Sequence, residues 1–338
     1  MLNPPSEKRC CFDPTEKARL VVVIDTEEEF DWTRPKTTLN TSVSSLRWIS
    51  RIGGIFDEYH ITPVYVIDYP VVSQPEGYRP LLEVYNADRC LIGAHLHPWV
   101  NPPFEESVNS YNSFPGNLGF ALESAKLKIL TDSIAERFGT RPVIYKAGRY
   151  GIGSHTAKIL EALGYEIDMS VCPRMDYSAE GGPDFSSSEV WPYWFGRGLL
   201  ELPLTVGFAG LLRRYGPCLH RAAVSFTKLH APGVLARLGL VNKIWLSPEG
   251  YRLNELVALS RALYDDGLRI FSFAFHSPSL DSGHTPYVMS QRELREFLDC
   301  CRRFFDFFMG DLGGTPATPL EIKARLAAAV PKMRGLPG

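Results

Sequence analysis

The sequence lacks an excess of charge of either sign. Its 338 residues include 36 Lys and Arg against 38 Asp and Glu, which leaves a formal net charge of -2 at pH 7. No cluster of Lys and Arg interleaved with aromatic side chains is present, so the electrostatic footprint of a nucleic-acid-binding protein is missing. We therefore expect no nucleic-acid partner.

Long apolar runs and cysteines in CxxC spacing are also missing. No segment reaches the roughly 18 uninterrupted apolar residues of a membrane-spanning helix, and the opening MLNPPSEKRCCFDP has no apolar stretch typical of a secretory signal. The seven cysteines include no CxxC spacing, which excludes a zinc knuckle and disfavours a disulfide framework. We expect a cytoplasmic protein without a transmembrane segment.

Apolar runs and helical patterns alternate along most of the chain. Runs typical of strands occupy residues 20–24, 63–67, 91–97, 142–146, 165–171 and 270–275, and helical periodicity occupies residues 43–59, 120–138 and 254–266. Further helices are predicted to start at the caps Ser154 and Ser290. This rhythm predicts a parallel sheet of six or seven β-α units, open or closed into a barrel, in one domain over residues 1–338. Residues 175–251 fit the rhythm least well and are predicted to be a less regular insertion.

Five acidic residues stand within seven positions where the first apolar run ends, in LVVVIDTEEEFDW at residues 20–32. Carboxylates crowded in this way repel one another unless a cation or a catalytic task keeps them there. His95 and His97 end another predicted strand and, being two positions apart, face the same side of it. Two imidazoles and a carboxylate form a ligand set suited to Zn²⁺ or a similar divalent ion. A metal site is therefore predicted at the ends of these two strands.

Other chemically capable side chains follow further strands. Lys146 and Arg149 lie in YKAGRYG, at and just after the end of the fourth predicted strand, and His276 lies in FAFHSPSL after the last. The carboxyl ends of parallel strands meet at one edge of a sheet or barrel, where active sites are usually built. We therefore expect these side chains to join the predicted metal ligands.

Four of these segments resemble motifs of the polysaccharide deacetylases of the NodB-homology type, which form carbohydrate esterase family 4. They are DTEEEF at 25–30, GAHLHPW at 93–99, YKAGRYG at 145–151 and FHSPSL at 275–280, in the order of that family. The acid-rich first motif is similar to that of the WalW-like branch. The resemblance implies an α/β fold, a distorted (β/α) barrel of about seven parallel strands, and a metal-dependent hydrolase.

By position, the resemblance implies roles for the residues of the first two motifs. Glu27 matches the general base and Glu28 the acidic metal ligand, while His95 and His97 match the paired histidine ligands. The first acids are Glu-Glu where Asp-Asp is usual, and the histidines follow H-x-H where H-x-x-x-H is usual. Asp25 shares a strand face with Glu27, so it stays an alternative metal ligand or base.

The later motifs imply the rest of the site. Lys146 stands where an arginine commonly orients the base, and His276 matches the histidine that acts as general acid. Arg149 is a candidate to pair with the base or to bind an anionic substrate group, and Trp99 and His284 are candidates for substrate contacts. The loop of residues 98–116, which holds four prolines, is predicted to form a rim over the metal.

These parts predict a metal-dependent amide hydrolase that removes an N-acyl group, acetyl above all, from an amino sugar or related glycan. Hydrolysis of a non-sugar amide or cyclic ureide, and deformylation, are open alternatives within the same chemistry. A non-catalytic carbohydrate-binding protein on a degenerate deacetylase scaffold is disfavoured, because every catalytic role has a candidate residue. The expected partner is a small-molecule or glycan substrate, and the oligomeric state stays open.

Overall fold

The strands build one large curved sheet and one small sheet in the computed structural model, which describes residues 9–10, 12–13, 15–224 and 230–333. In chain order they are β1 (Arg19–Thr26), β2 (Val64–Ile67), β3 (Leu91–Leu96), β4 (Ile144–Ala147), β5 (Ile167–Asp168), β6 (Tyr193–Phe195), β7 (Leu199–Glu201), β8 (Val206–Ala209), β9 (Asn242–Trp245), β10 (Ile270–His276) and β11 (Thr315–Pro316). Each of the six predicted strands corresponds to one of them.

Seven consecutive strands of the large sheet run parallel, in the order β10-β1-β2-β3-β4-β5-β7. At one edge β6 pairs antiparallel with β7, and outside this strand order the short β11 pairs parallel with the first two residues of β1. The gap between β7 and β10 is bridged by single hydrogen bonds: Leu246 N–H donates to Thr205 C=O at 2.8 Å, and Ala274 N–H donates to Leu246 C=O at 3.1 Å. The prediction of a distorted (β/α) barrel of about seven parallel strands is confirmed.

Ten helices are described, and most pack against the outward side chains of the curved sheet. They are α1 (Ser50–Glu58), α2 (Tyr69–Ser73), α3 (Pro75–Asn86), α4 (Phe120–Phe138), α5 (Thr156–Leu163), α6 (Gly216–Val224), α7 (Ala231–Arg237), α8 (Leu253–Asp265), α9 (Gln291–Asp306) and α10 (Pro319–Met333). Helix α10 instead packs against the inward side chains of the sheet through Ile322 and Leu326. Helix α4 has the bounds predicted for it, and the predicted helix at 43–59 is divided into a 3-10 turn, Ser44–Trp48, and α1. Among the described residues, no helix combines the length and the apolar character needed to cross a membrane.

Two helix starts show how capping decides where a helix begins. Ser290 caps α9 as predicted, because its hydroxyl accepts a hydrogen bond from the Glu293 backbone N–H. Ser154 does not cap α5, which starts later, at Thr156, without a side-chain cap. Helices α2 and α3 have no counterpart in the sequence prediction, since prolines at their first turns and inside α3 obscure the pattern.

Residues 175–251 contain regular structure that the sequence pattern does not reveal. Strands β6 and β7 extend the large sheet, and β8 and β9 pair as an antiparallel ribbon. The ribbon runs alongside β10 at the gap in the barrel, so the chain that follows β9 enters the carboxyl end of the barrel.

The core has two layers because side chains alternate along each strand. In β1, Val21 and Val23 point into the barrel and pack with inward side chains of the other strands. Leu20, Val22 and Ile24 point outward and pack under the helices. The inward side chains of β1 are therefore apolar as far as Val23, and the next inward side chain is the carboxylate of Asp25.

Candidate active site

The inward positions of four strands change from apolar to polar at the carboxyl end of the barrel. In β1 the inward alternation continues from Val23 to Asp25, and the same alternation turns His95 of β3, Lys146 of β4 and His276 of β10 inward. Strand register aligns Asp25 with His276 and His95 with Lys146. These four side chains, which come from distant parts of the sequence, therefore form one cluster.

Three donor atoms converge beside this cluster. Glu27 Oε2 lies 3.6 Å from His95 Nε2 and 3.4 Å from His97 Nε2, and all three residues are buried. A carboxylate oxygen and two imidazole nitrogens at such separations could hold one metal ion.

The hydrogen bonds of His95 test whether these donors suit a metal ion. Its Nδ1 lies 2.9 Å from the backbone C=O of Lys146, which can only accept, so Nδ1 carries the proton of the neutral ring. Burial lowers the pKa of His95, which favours that neutral form. Nε2 then directs a lone pair at the Glu27 carboxylate, and two acceptors that face each other are stabilised by a cation between them. The donor set therefore fits a divalent ion.

Glu28 lies on the other side of His97, away from these donors. Its Oε2 is 2.7 Å from His97 Nδ1, and its Oε1 accepts a hydrogen bond from the indole N–H of Trp99 at 2.7 Å. Asp68 accepts from the Glu28 backbone N–H at 2.7 Å and fixes the chain there. Glu28, Asp68 and His97 form a second possible ligand set, but the direct hydrogen bond between Glu28 and His97 leaves no room for an ion. Burial raises the pKa of Glu28 to about 8, while the hydrogen bond from the Trp99 indole N–H acts in the opposite direction and favours the carboxylate.

Asp25 and Lys146 form a buried ion pair next to the donor set. Lys146 Nζ donates to both carboxylate oxygens of Asp25 at 2.5 Å. Burial by itself would raise the pKa of Asp25, but the Lys146 ammonium and the neighbouring imidazoles outweigh it and lower that pKa to about 2. Asp25 is therefore ionised at neutral pH, and a carboxylate in that state can accept a proton.

His276 is held by Glu249, a residue that the sequence reasoning missed. His276 Nδ1 lies 2.7 Å from Glu249 Oε2, and its Nε2 lies 3.7 Å from Asp25 Oδ2. Burial by itself would lower the pKa of His276, but Glu249 and the other carboxylates outweigh it and raise that pKa to about 10. His276 is therefore a charged imidazolium that can donate a proton from Nε2. Glu249 follows β9 in a segment without periodicity, and no sequence signal pointed to it.

A pocket of about 390 Å³ opens beside these residues, and its wall combines titratable side chains with aromatic ones. Trp99, a predicted substrate contact, is one of the aromatic side chains, but its ring is stacked on His97 with centroids 4.2 Å apart. The other aromatic lining residues are Phe30, Trp32, Tyr150, Tyr177, Trp245 and Tyr287.

Arg149 lines the pocket, but its guanidinium is engaged away from the carboxylate cluster. It pairs with Glu180, donates to the Ser113 hydroxyl and lies 4.1 Å from the centre of the Phe114 ring. Lys146, and not Arg149, is the cation that contacts Asp25. The structure thus places Arg149 in the pocket wall.

His284 does not line this pocket. Its imidazole lies 3.4 Å from Glu29 and 3.6 Å from Asp281, beside a second cavity that shares only Phe30 and Trp32 with the first. The Phe30 and Trp32 rings therefore separate His284 from the predicted metal ligands.

The loop of residues 98–116 lies beside the pocket and is anchored by Lys126 of α4. Lys126 Nζ donates to the backbone C=O groups of Pro98 at 3.0 Å, Asn101 at 2.6 Å and Pro103 at 2.6 Å, and it lies 3.0 Å from Glu106. The loop forms short 3-10 turns and no longer helix. One buried ammonium therefore fixes the backbone that follows His97.

No protein-family profile matches the sequence, and no curated protein does. Solved structures do match. A Mycobacterium smegmatis protein assigned as a polysaccharide deacetylase aligns over 93% of this chain and 92% of that one, with 17% identity and a TM-score of 0.50. PuuE allantoinase aligns over 96% and 94%, with 15% identity and a TM-score of 0.52. A Pseudomonas aeruginosa PAO1 protein, also assigned as a polysaccharide deacetylase, aligns over 91% and 90%, with 14% identity and a TM-score of 0.50.

At identities this low, the structural alignments establish a shared fold only, and the activity has to be argued from the site. The WalW-like branch stays a prediction. The chain therefore has the fold of the polysaccharide deacetylases, as its four motifs predicted.

Proposed function

We propose that this protein is a metal-dependent hydrolase that removes an N-acyl group, acetyl above all, from an amino sugar or related glycan. The observation that supports this most strongly is the arrangement around Glu27. Its carboxylate and two imidazole Nε2 atoms converge next to an ionised carboxylate, Asp25, and a charged imidazole, His276. A metal ligand set, a base and an acid in one pocket are the parts that amide hydrolysis needs.

In this proposal Glu27, His95 and His97 hold the ion, and zinc suits their mixture of imidazole and carboxylate donors. When bound, such an ion lowers the pKa of a water molecule toward neutrality and polarises an amide carbonyl. Glu28 orients His97 through its Nδ1, in the way that carboxylates behind metal-ligating histidines commonly do.

The proposed roles of the acids differ from those implied by motif position. Glu27 takes the place of metal ligand that the motif assigned to Glu28, and Asp25 takes the place of base that it assigned to Glu27. Distance supports the change, because Glu27 approaches both histidine Nε2 atoms while Glu28 is hydrogen-bonded to Nδ1 of His97. Contact with Lys146 supports Asp25 as the base.

The chain's own residues move the protons. Asp25 accepts the proton of the attacking water, and Lys146 keeps Asp25 ionised until then. His276 donates a proton from Nε2 to the departing amine nitrogen, and Glu249 holds His276 in its charged form. Asp25 and His276 are 3.7 Å apart, so one small substrate group can meet both.

A second candidate is hydrolysis of a non-sugar amide or a cyclic ureide. PuuE allantoinase matches this chain over as much of its length as the deacetylase-assigned structures do. The same base, acid and ligand set could serve a cyclic amide, so the candidates differ only in the substrate that the pocket walls accept.

The test combines metal analysis with a substrate screen. We expect about one divalent ion per chain in protein purified without chelators. We also expect release of acetate or formate from at least one N-acetyl or N-formyl amino sugar, with allantoin included as the cyclic ureide. A His95→Ala, His97→Ala double variant should lose both the ion and the activity. Wild-type protein that carries no ion, or a double variant with unchanged metal content, would contradict the proposal.

The Glu249→Gln variant tests the assignment of His276 as the acid. The alkaline limb of the kcat/KM profile should move to lower pH by about 1 to 3 units, because a neighbouring carboxylate that stabilises the imidazolium is lost. The measurement is kcat/KM from pH 5 to about pH 11, above the pKa of about 10 of His276, with Glu83→Gln on the exposed face of α3 as the control. An alkaline limb that stays in place would remove His276 from this role.

A further inference from the structure

We infer that the pocket selects substrates that carry an anionic group, a phosphate or a carboxylate, and that Lys36 binds this group. The inference rests on the proposed function, since it concerns the substrate of the same site. Lys36 lies in the loop after β1, half-buried in the pocket wall that also contains Glu27 and both histidines. Its ammonium is 5.3 Å from the centre of the Phe30 ring and 5.5 Å from that of Trp99.

The other cations of the pocket are already neutralised by carboxylates. Lys146 pairs with Asp25, Arg149 with Glu180, and His276 with Glu249. Lys36 makes no ion pair in the part of the chain that the structure describes, and its ammonium lies over the faces of the Phe30 and Trp99 rings. Its positive charge therefore remains available to a ligand in the pocket.

The loop that carries Lys36 is tied down close to the lysine. The Asp31 carboxylate accepts hydrogen bonds from the backbone N–H and the hydroxyl of Thr33, and it pairs with Arg34 at 3.2 Å. Arg34 thus has a partner within the loop, whereas Lys36 turns to the pocket. Burial lowers the pKa of Lys36, which is the effect expected of an ammonium removed from water before an anion reaches it.

The shape of the pocket narrows the class of ligand. Its volume of about 390 Å³ lies near the lower end of the ~300–1,000 Å³ range of ligand pockets, so it suits a single sugar unit or the end of a chain. Aromatic walls suit the apolar face of a sugar ring, and a cation over such a wall suits a charged substituent on that ring. The substrate class is therefore an acylated amino sugar bearing a phosphate or a carboxylate.

Sugars that differ only in charge test the inference. The probes are N-acetylglucosamine, its 1-phosphate and 6-phosphate, and N-acetylmuramic acid, with binding followed by quenching of the pocket tryptophans immediately after mixing. We expect at least one anionic sugar to bind about tenfold or more tightly than the neutral one, because a charge-assisted contact is added. Lys36→Gln should remove most of this preference, Lys36→Arg should keep it, and Lys158→Gln on the exposed face of α5 should leave it unchanged.

Two results would overturn the inference: equal binding of the neutral and anionic sugars by the wild type, or a preference that survives in Lys36→Gln. Salt gives a test without a variant, since rising ionic strength should weaken only the binding of the anionic sugars. Acetate release in the same samples separates the two proposals. A preference for anionic sugars without acetate release supports the inference and contradicts the deacylase function. Acetate release without such a preference supports the deacylase function and contradicts the inference.

Discussion

Glu27→Ala is expected to leave the protein without its metal ion and without activity. The variant removes the carboxylate that lies between the Nε2 atoms of His95 and His97, so only two protein donors remain. Sites of this kind need three protein ligands to retain an ion through purification. The measurement is metal content by elemental analysis beside activity, and we expect content to fall from about one ion per chain to near zero.

The matched control is Glu28→Ala, which removes the neighbouring carboxylate. It takes away the hydrogen-bond partner of His97 Nδ1 but no atom of the proposed ligand set, so metal affinity should fall only about 10- to 100-fold. Added zinc should restore activity to Glu28→Ala and not to Glu27→Ala. Loss of metal in Glu28→Ala together with retention of metal in Glu27→Ala would establish Glu28 as the ligand, as motif position implies.

Asp25→Asn is expected to keep the metal and to lose activity by about 10²- to 10⁴-fold, the usual contribution of a general base. The amide is nearly the same shape as the carboxylate but cannot take up the proton of the attacking water. The variant also leaves Lys146 as a buried ammonium without its partner, which should lower the free energy of unfolding by about 3–5 kcal/mol. Activity, metal content and thermal unfolding are measured together.

A double variant separates the lost proton acceptor from the lost stability. Adding Lys146→Met to Asp25→Asn removes both buried charges, so much of the lost stability should return while activity stays low. Activity that recovered together with stability would mean that Asp25 acts only by supporting the fold. Metal that disappeared from Asp25→Asn would instead make Asp25 a ligand, the alternative that the strand alternation left open.

The barrel and the inward cluster could be predicted because both depend on local pattern. Apolar runs mark the strands, and alternation along a strand places every second side chain inside. His95, Lys146 and His276 lie at the carboxyl ends of such strands, so their convergence needs only the rule that parallel strands share one carboxyl edge.

The roles of the three acids could not be predicted with the same ease. Strand β1 ends at Thr26, so the direction of the side chains beyond it depends on the turn and on tertiary partners. Asp68 and Trp99 draw Glu28 away from the pocket, and neither residue is near Glu28 in the sequence. Motif position alone therefore predicts an assignment that differs from the one we propose from the distances to the histidines.

Glu249 and Lys36 could not be predicted from the sequence for a different reason. Both lie in irregular segments, one after β9 and one after β1, where neither residue belongs to a periodic pattern. Glu249 reaches His276 because the β8–β9 ribbon crosses the gap beside β10, a tertiary arrangement without a local signal.

The anchoring of the loop after His97 has a consequence for how this pocket can evolve. Lys126 binds three main-chain carbonyl groups, and every amino acid offers that group whatever its side chain. Exchanging side chains of this loop other than Glu106 would leave these three bonds intact, so most of its composition is not fixed by the anchor. The side chains beside the pocket can therefore change in the course of evolution while the backbone that follows His97 keeps its path.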